Sequence, residues 1–293
     1  MRSFLLRLMA LVAAVTGIAS AEACSLNFTS PARGSTVLTP QVSVSGTGSG
    51  TANPGDVGQV TATINGQVFF QQAGVFTTLI NFLGSGAAAV TLQPGANLLQ
   101  VQGSVKGCSA SDTLVVYYTP APTPAQKNAG PPLACNGSNP VNGATGNKYQ
   151  AESDYTGTGS LPLEFTRYYN SAYNDRRSVG WRWRHSYDRQ LAFSAGQAYA
   201  LRADGRAYRF LQSGSNWLPD ADVNDRLSPV TDTGGAVIGW RYVLGEDDTA
   251  ESYDVSGRLL SIVSREGGTQ DLTYDAAGRL SSVTDRLSGR RLQ

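Results

Sequence analysis

Two segments near the end of this 293-residue chain repeat at a fixed offset, which restricts it to architectures that stack like units side by side. Tyr253-Asp254-Val255-Ser256-Gly257-Arg258-Leu259-Leu260-Ser261-Ile262 returns 21 residues later as Tyr274-Asp275-Ala276-Ala277-Gly278-Arg279-Leu280-Ser281-Ser282-Val283. Six of the ten positions are identical and a seventh exchanges Ile for Val, so the match marks a repeated unit. Each unit reads as one β-hairpin step. An aspartate at the first place of a four-residue turn accepts hydrogen bonds from the turn's own backbone, and a glycine at the fourth takes a conformation that side chains resist. Asp254 to Gly257 and Asp275 to Gly278 fit that turn, and the flanking Tyr, Leu and Ile/Val suit a pleated surface. Leu259 and Ile262 are three apart, however, and on an unbroken strand they face opposite sides. Either both faces of the sheet are covered or a bulge shifts the register.

The rest of the chain is consistent with an all-β fold. Gly, Ser and Thr are abundant, short apolar runs alternate with turn residues, and long helical periods are missing. Residues 1–23 read as an export signal. Arg2 and Arg7 precede a mostly apolar run of 11 residues, Leu8 to Ile18, and Ala19-Ser20-Ala21 or Ala21-Glu22-Ala23 offers a cleavage site. That run is too short to span a bilayer, so the chain is expected to be secreted or held at the cell surface rather than membrane-spanning. Cys24 would suit lipidation only with a large aliphatic residue three places before it, where Ala21 stands. Beyond residue 23 there are 21 basic and 21 acidic residues, and a chain with no net charge is poorly suited to nucleic acid.

From Cys24 to Thr119 short β runs follow one another at the spacing of a sandwich. Val42 and Val44 mark one strand, and Val60, Ala62 and Ile64 another. Asn65-Gly66 is a strong hairpin signal leading into Val68-Phe69-Phe70. Val75 to Leu83, Ala88 to Leu92, Leu98 to Val101 and Leu114 to Tyr118 bring the set to about seven strands, the number of an immunoglobulin-like domain. The stretch Leu92 to Val101 also resembles the penultimate hairpin of bacterial Ig-like modules. Cys24 before the first strand and Cys108 between the last two would lie toward the same end of such a sandwich, which makes them a candidate disulfide in an oxidising compartment. Cys135 is left odd. Three well-separated cysteines and one histidine hold no close ligand pair, so no metal and no other cofactor is expected. Residues 120–134 carry five of the 13 prolines and read as an extended, semi-rigid linker.

The twin Tyr-Asp-x-x-Gly-Arg-Leu units resemble the YD repeat of the Rhs family, which includes bacterial polymorphic toxins. That resemblance implies a spiral of many repeats forming a hollow β shell around a C-terminal toxin or effector. Asn139 to Lys148, Leu161 to Asn170, Gly180 to Tyr187 and Ala203 to Phe210 together resemble the N-terminal module that precedes YD repeats, which implies a segment over 135–245 that begins or plugs the shell, with the repeats filling 246–293. A third Tyr-Asp falls due at position 295, so the sequence reads as the N-terminal piece of a longer protein or a truncated copy.

Few residues point to chemistry. Trp181, Trp183, His185 and Tyr187 alternate with Arg182, Arg184 and Ser186, so one strand would show a ring face and an arginine face. Trp181, Trp183 and Tyr187 are a candidate aromatic binding face for glycan; a ring-filled core with solvated arginines is the structural reading of the same pattern. His185, the only histidine, then sits among rings rather than as a base. Glu246-Asp247-Asp248 reads as a solvated turn rather than a glycosidase pair. Asp220, Asp222 and Asn224 begin a calcium-loop pattern that fails at Asp225 and Thr231. The functional expectation is a non-catalytic scaffold, not an enzyme, whose partner is the remainder of its own longer chain or a C-terminal effector. The alternative is a secreted adhesion module that binds cell-surface glycan or protein.

Overall fold

The structure is a computed structural model that describes residues 24–49, 57–75, 88–105, 108–132 and 140–293. The export signal, Cys135 and most of the strand expected over Val75 to Leu83 lie outside these residues. The described chain is all-β, with mostly antiparallel sheets and one long array of hairpins.

The N-terminal part is a two-sheet sandwich. Its strands are β1 (Ser25–Ser30), β2 (Thr36–Val37), β3 (Gln41–Ser49), β4 (Val57–Ile64), β5 (Gln67–Val75), β6 (Ala88–Thr91), β7 (Gly95–Val105) and β8 (Cys108–Tyr118). One sheet runs β1-β3-β6 and the other is built on β5-β4-β7-β8, with β2 parallel to β8. Period-two alternation explains the core. Leu26, Phe28, Val44 and Val90 from the first sheet meet Val60, Ala62, Leu99, Val101, Leu114 and Val116 from the second. Asn65 and Gly66 both take positive φ, as a tight hairpin needs, and Asn65 accepts the Leu98 N–H at 2.9 Å, which ties the turn to β7. Cys24 and Cys108 are joined, with Cα atoms 5.9 Å apart.

The proline-rich segment departs from the extended spacer expected of it. Pro124–Asn128 forms a short 3-10 turn capped reciprocally by Thr123 and Gln126, and Ala129 is buried. The Ala129 carbonyl accepts from Asn147 Nδ2 at 2.7 Å, and Lys127 reaches Asp222 at 2.6 Å. Proline fixes φ but does not keep a segment off its neighbours when buried polar partners are available.

Next come β9 (Tyr149–Thr156), β10 (Glu164–Asn170), β11 (Arg176–Arg177), β12 (Gly180–Trp181) and β13 (Trp183–His185). β9, β10 and β13 make a small antiparallel sheet, while β11 pairs in parallel with the start of β7. The remaining strands are β14 (Gln190–Ser194), β15 (Gln197–Leu201), β16 (Ala207–Ser213), β17 (Asn216–Pro219), β18 (Arg226–Thr231), β19 (Val237–Val243), β20 (Ala250–Asp254), β21 (Leu259–Val263), β22 (Thr269–Tyr274), β23 (Leu280–Asp285) and β24 (Arg291–Leu292). They form one 11-stranded sheet in sequence order, every neighbour antiparallel, that runs through position 245 without a break.

This sheet curls back on its own first strand. Phe193 of β14 stacks on Trp240 of β19 with ring centroids 4.5 Å apart, although four strands lie between them. The inner face is filled with side chains: Leu191, Phe210, Tyr242, Tyr253, Leu259 and Ile262 belong to one buried cluster. On the other face of β14 to β16, Ala192, Tyr199 and Leu201 are covered by Leu38 of the sandwich.

The spacing question in the repeats is settled by a bulge. Tyr253 pairs with Leu259 and Ser252 with Ser261, which leaves Leu260 as the extra residue; Ser281 takes the same place in the second unit. Leu259 and Ile262 are therefore both buried on the inner face, and Leu260 is exposed.

Candidate functional site

The repeat turns carry the clearest division of labour between side chain and backbone. Asp254 Oδ1 accepts the Ser256 and Arg258 backbone N–H groups at 2.9 and 3.0 Å, and its Oδ2 accepts from Arg258 Nε at 3.0 Å. Asp275 repeats this with Ala277 and Arg279 at 3.0 and 2.9 Å, and with Arg279 Nε at 2.7 Å. Burial works against the Asp275 charge, but hydrogen bonds and charge from Arg279 hold the carboxyl below its usual range. Gly257 and Gly278 sit at φ +86° and +89°, where L side chains are strained.

Both turns also cover an open strand edge. The Leu191 N–H of β14 points away from β15 and donates to the Gly257 carbonyl at 2.8 Å, next to a Gln190–Arg258 bridge. A Cβ on Gly257 would collide with the Leu191 carbonyl. At the second turn the Val115 N–H of β8 donates to the Ala277 carbonyl at 2.8 Å, and Arg33 Nη1 donates to the Ala276 carbonyl at 3.1 Å. Arg33 is itself held by Asp112 at 2.5 Å. Gly278 packs against the backbone of Arg33 and Gly34, again without room for a side chain. One motif thus seals the array's first strand, and its copy fastens the sandwich to the array.

Sequence reading missed two more turns of this form. Asp232 accepts the Gly234 and Ala236 N–H groups, both at 2.9 Å, with Gly235 at φ +84°. Ser264 accepts from Gly268, with Gly267 at φ +89°. Asp or Ser four-residue turns ending in glycine were the available signal, but neither is preceded by the repeat's Tyr or followed by its Arg-Leu pair.

Inside the array, Glu251 is fully buried between two arginines. Arg202 binds it bidentately at 2.6 and 2.7 Å, Arg189 adds a contact at 2.7 Å, and Tyr253 donates its hydroxyl at 2.6 Å. Burial disfavours the Glu251 charge, yet the Arg202 guanidinium outweighs it and the pKa falls from 4.5 to about 2. The repeat's first tyrosine thus completes an ion cluster. Its counterpart Tyr274 instead donates to the Leu259 carbonyl at 2.6 Å, with Arg258 4.5 Å over its ring. Leu280 is only partly buried where Leu259 is fully so.

The aromatic face expected of Trp181, Trp183 and Tyr187 does not assemble. Arg182 adopts φ +66°, which breaks the strand and cancels the alternation on either side. Trp181 stays 49% exposed on β12, Trp183 is half-buried against Tyr169 at 5.4 Å, and Tyr187 enters the array's core. The arginine face is likewise corrected. Arg184 is buried and, with Arg177, faces the buried Asp175 at 3.3 and 3.1 Å. Burial opposes that carboxylate's charge, but the two arginines lower its pKa.

His185 is buried, stacked on Phe165 at 5.1 Å; its Nδ1 accepts the Tyr187 N–H at 3.2 Å and its Nε2 faces Asp188 at 3.5 Å. Lys127 lies 3.7 Å from Asp220 and 2.6 Å from Asp222, so an ammonium stands where the calcium-loop pattern would place a cation. Asp247 caps the Thr249 N–H at 2.9 Å and Asp248 pairs with Arg226 at 3.0 Å, as turn residues do. No group of three metal-ligating side chains occurs among the described residues. No helix among them is long and apolar enough to cross a membrane.

Residues 253–290 match the family model described as RHS Repeat, and residues 138–210 match a domain of unknown function, DUF6531. No curated protein matches the chain. Among solved structures, the exotype rhamnogalacturonan lyase YesX aligns at 14% identity over 87% of this chain and 40% of that one, with a TM-score of 0.16. A score that low carries no argument about fold or activity, and the chain spans well under half of that protein.

Proposed function

We propose that this chain is the non-catalytic N-terminal scaffold of an exported Rhs/YD-repeat protein, the start of a β shell that would enclose a C-terminal toxin or effector. The observation that carries it is the 11-stranded array that curls onto its own first strand and is sealed there by a repeat turn. The RHS repeat match over 253–290 supports it, as do the signal-like residues 1–23. Extended by further repeats beyond this side-chain-filled start, such a wall would separate cargo from its surroundings by topology alone and need no reacting groups. The sandwich, read as Ig-like, acts as a buttress rather than a free arm, because Val115 and Arg33 fix it to the second repeat turn. The test is the coding sequence after residue 293. Tyr-Asp-x-x-Gly units should recur there at intervals of about 21 residues, and their absence in every frame overturns the proposal.

A second reading, adhesion to cell-surface glycan or protein, is favoured only by the exposed ring of Trp181. Glycan-array binding of the exported chain that is lost in Trp181→Ala at unchanged stability would support it.

A further inference from the structure

Three parts of the molecule meet around a cavity of about 690 Å³, bounded by the sandwich, the β9-β10-β13 sheet with its following turn, and the last repeat strands. Interiors close-pack, so an open space of this size lined by Tyr155, Phe165, Tyr187, Val179 and Leu292 is in the range of a small-molecule pocket. Most of its charged groups already have partners within the chain. Asp154 is held bidentately by Arg167 at 2.5 and 2.8 Å, and Asp188 accepts the His185 backbone N–H at 3.0 Å. Arg177 binds Asp175 at 3.1 Å and Arg279 binds Asp275 at 2.7 Å. Arg176 is different: its guanidinium meets no carboxylate among the described residues, and its side chain is exposed at the cavity.

The backbone of Arg176 is fixed in place. It pairs with Gly95 of β7 on one side and with Trp181 on the other, and Gly95, at φ +95°, has no room for a Cβ against it. A cation on a rigid strand beside an apolar, ring-lined cavity is a preorganised anion contact next to a hydrophobic seat. We infer that this cavity binds a small organic anion with an apolar body, of the aryl or acyl carboxylate or sulfonate class, its charge on Arg176 and its body against Tyr155, Phe165 and Leu292. The inference concerns the cavity as this chain forms it; the further chain that the scaffold reading expects would start from Gln293, on the cavity's lining.

The probes are 8-anilinonaphthalene-1-sulfonate and its uncharged analogue N-phenyl-1-naphthylamine, titrated by fluorescence against the purified chain, with decanoate as competitor. The sulfonate should fill one saturable site and be displaced by decanoate. Arg176→Gln should weaken it roughly fivefold, the scale of one exposed charge contact, and leave the uncharged probe unchanged. Ser178→Trp, at an exposed position lining the cavity, should abolish binding of both probes. Thermal unfolding of each variant checks that the fold is intact. Absence of a saturable site, or sulfonate binding that neither substitution alters, overturns the inference.

Discussion

Replacing Glu251 with glutamine removes the one carboxylate among the described residues that pairs with Arg202 and Arg189 inside the array while keeping one acceptor for the Tyr253 hydroxyl. Taking one partner from a buried ion pair typically costs about 3–5 kcal/mol, because the remaining charge stays desolvated. The Arg189 and Arg202 side chains retain 20% and 10% exposure, which favours the lower end. The acid equilibrium gives the same scale. A pKa that falls from 4.5 to about 2 corresponds to about 3 kcal/mol, at about 1.4 kcal/mol per pH unit. Because the folded value is the lower one, this stabilisation is complete above pH 4.5 and is lost as the pH falls through 2. Urea unfolding of the wild type and Glu251→Gln at pH 7, 5, 4 and 3 reads it directly. The variant should be about 3 kcal/mol less stable at pH 7, with a melting temperature roughly 6–12 °C lower. The gap should narrow steadily below pH 4.5, as the Glu251 carboxylate of the unfolded wild type takes up its proton while that of the folded protein stays ionised. A loss under 1 kcal/mol at pH 7, or a gap that does not change with pH, refutes the assignment of Glu251 as the charge that anchors the array.

Gly257→Ala and Gly278→Ala should each destabilise by more than the roughly 1 kcal/mol of an ordinary glycine at positive φ, since both also meet backbone; Gly235→Ala, at the same turn position with open space around it, should lose only the φ term in a thermal melt. Cys24→Ser with Cys108→Ser should cost about 2–4 kcal/mol in chemical denaturation, the value for opening a loop with a sequence separation of 84 residues. Arg33→Ala should increase protease cutting near Ala276 and Ala277 while leaving the sandwich's own unfolding transition in place, because it releases the contact between the two parts rather than either core.

Local side-chain chemistry made parts of this fold legible in the sequence. Asp254 and Gly257 write their turn into the chain, and alternation in β4 and β8 is visible because one face of each is buried. Asn65-Gly66 marks its hairpin for the same reason. The misreadings arise where the decisive interaction is long-range or unmarked. A non-glycine residue at positive φ, Arg182, leaves no trace in the pattern and turned an apparent strand face into three unrelated environments. Alternation alone makes Arg184 look solvated, because its partner, Asp175, lies outside the strand that carries it. The contact of Arg33 with Ala276 spans 243 residues, and no local period announces it. The candidate site was therefore half legible. Its turn residues could be named from sequence, but not the strand edges that they cover.

Repeat turns close the array and fasten the sandwich through backbone hydrogen bonds, and hydrogen exchange at two amides tests this most directly. The Leu191 and Val115 N–H groups should exchange slowly, with protection comparable to the Leu99 amide in the sandwich core, because each donates to a turn carbonyl at 2.8 Å. Fast exchange at both, with neighbouring strand amides still protected, would show that these edges are open to water and that the turns close nothing.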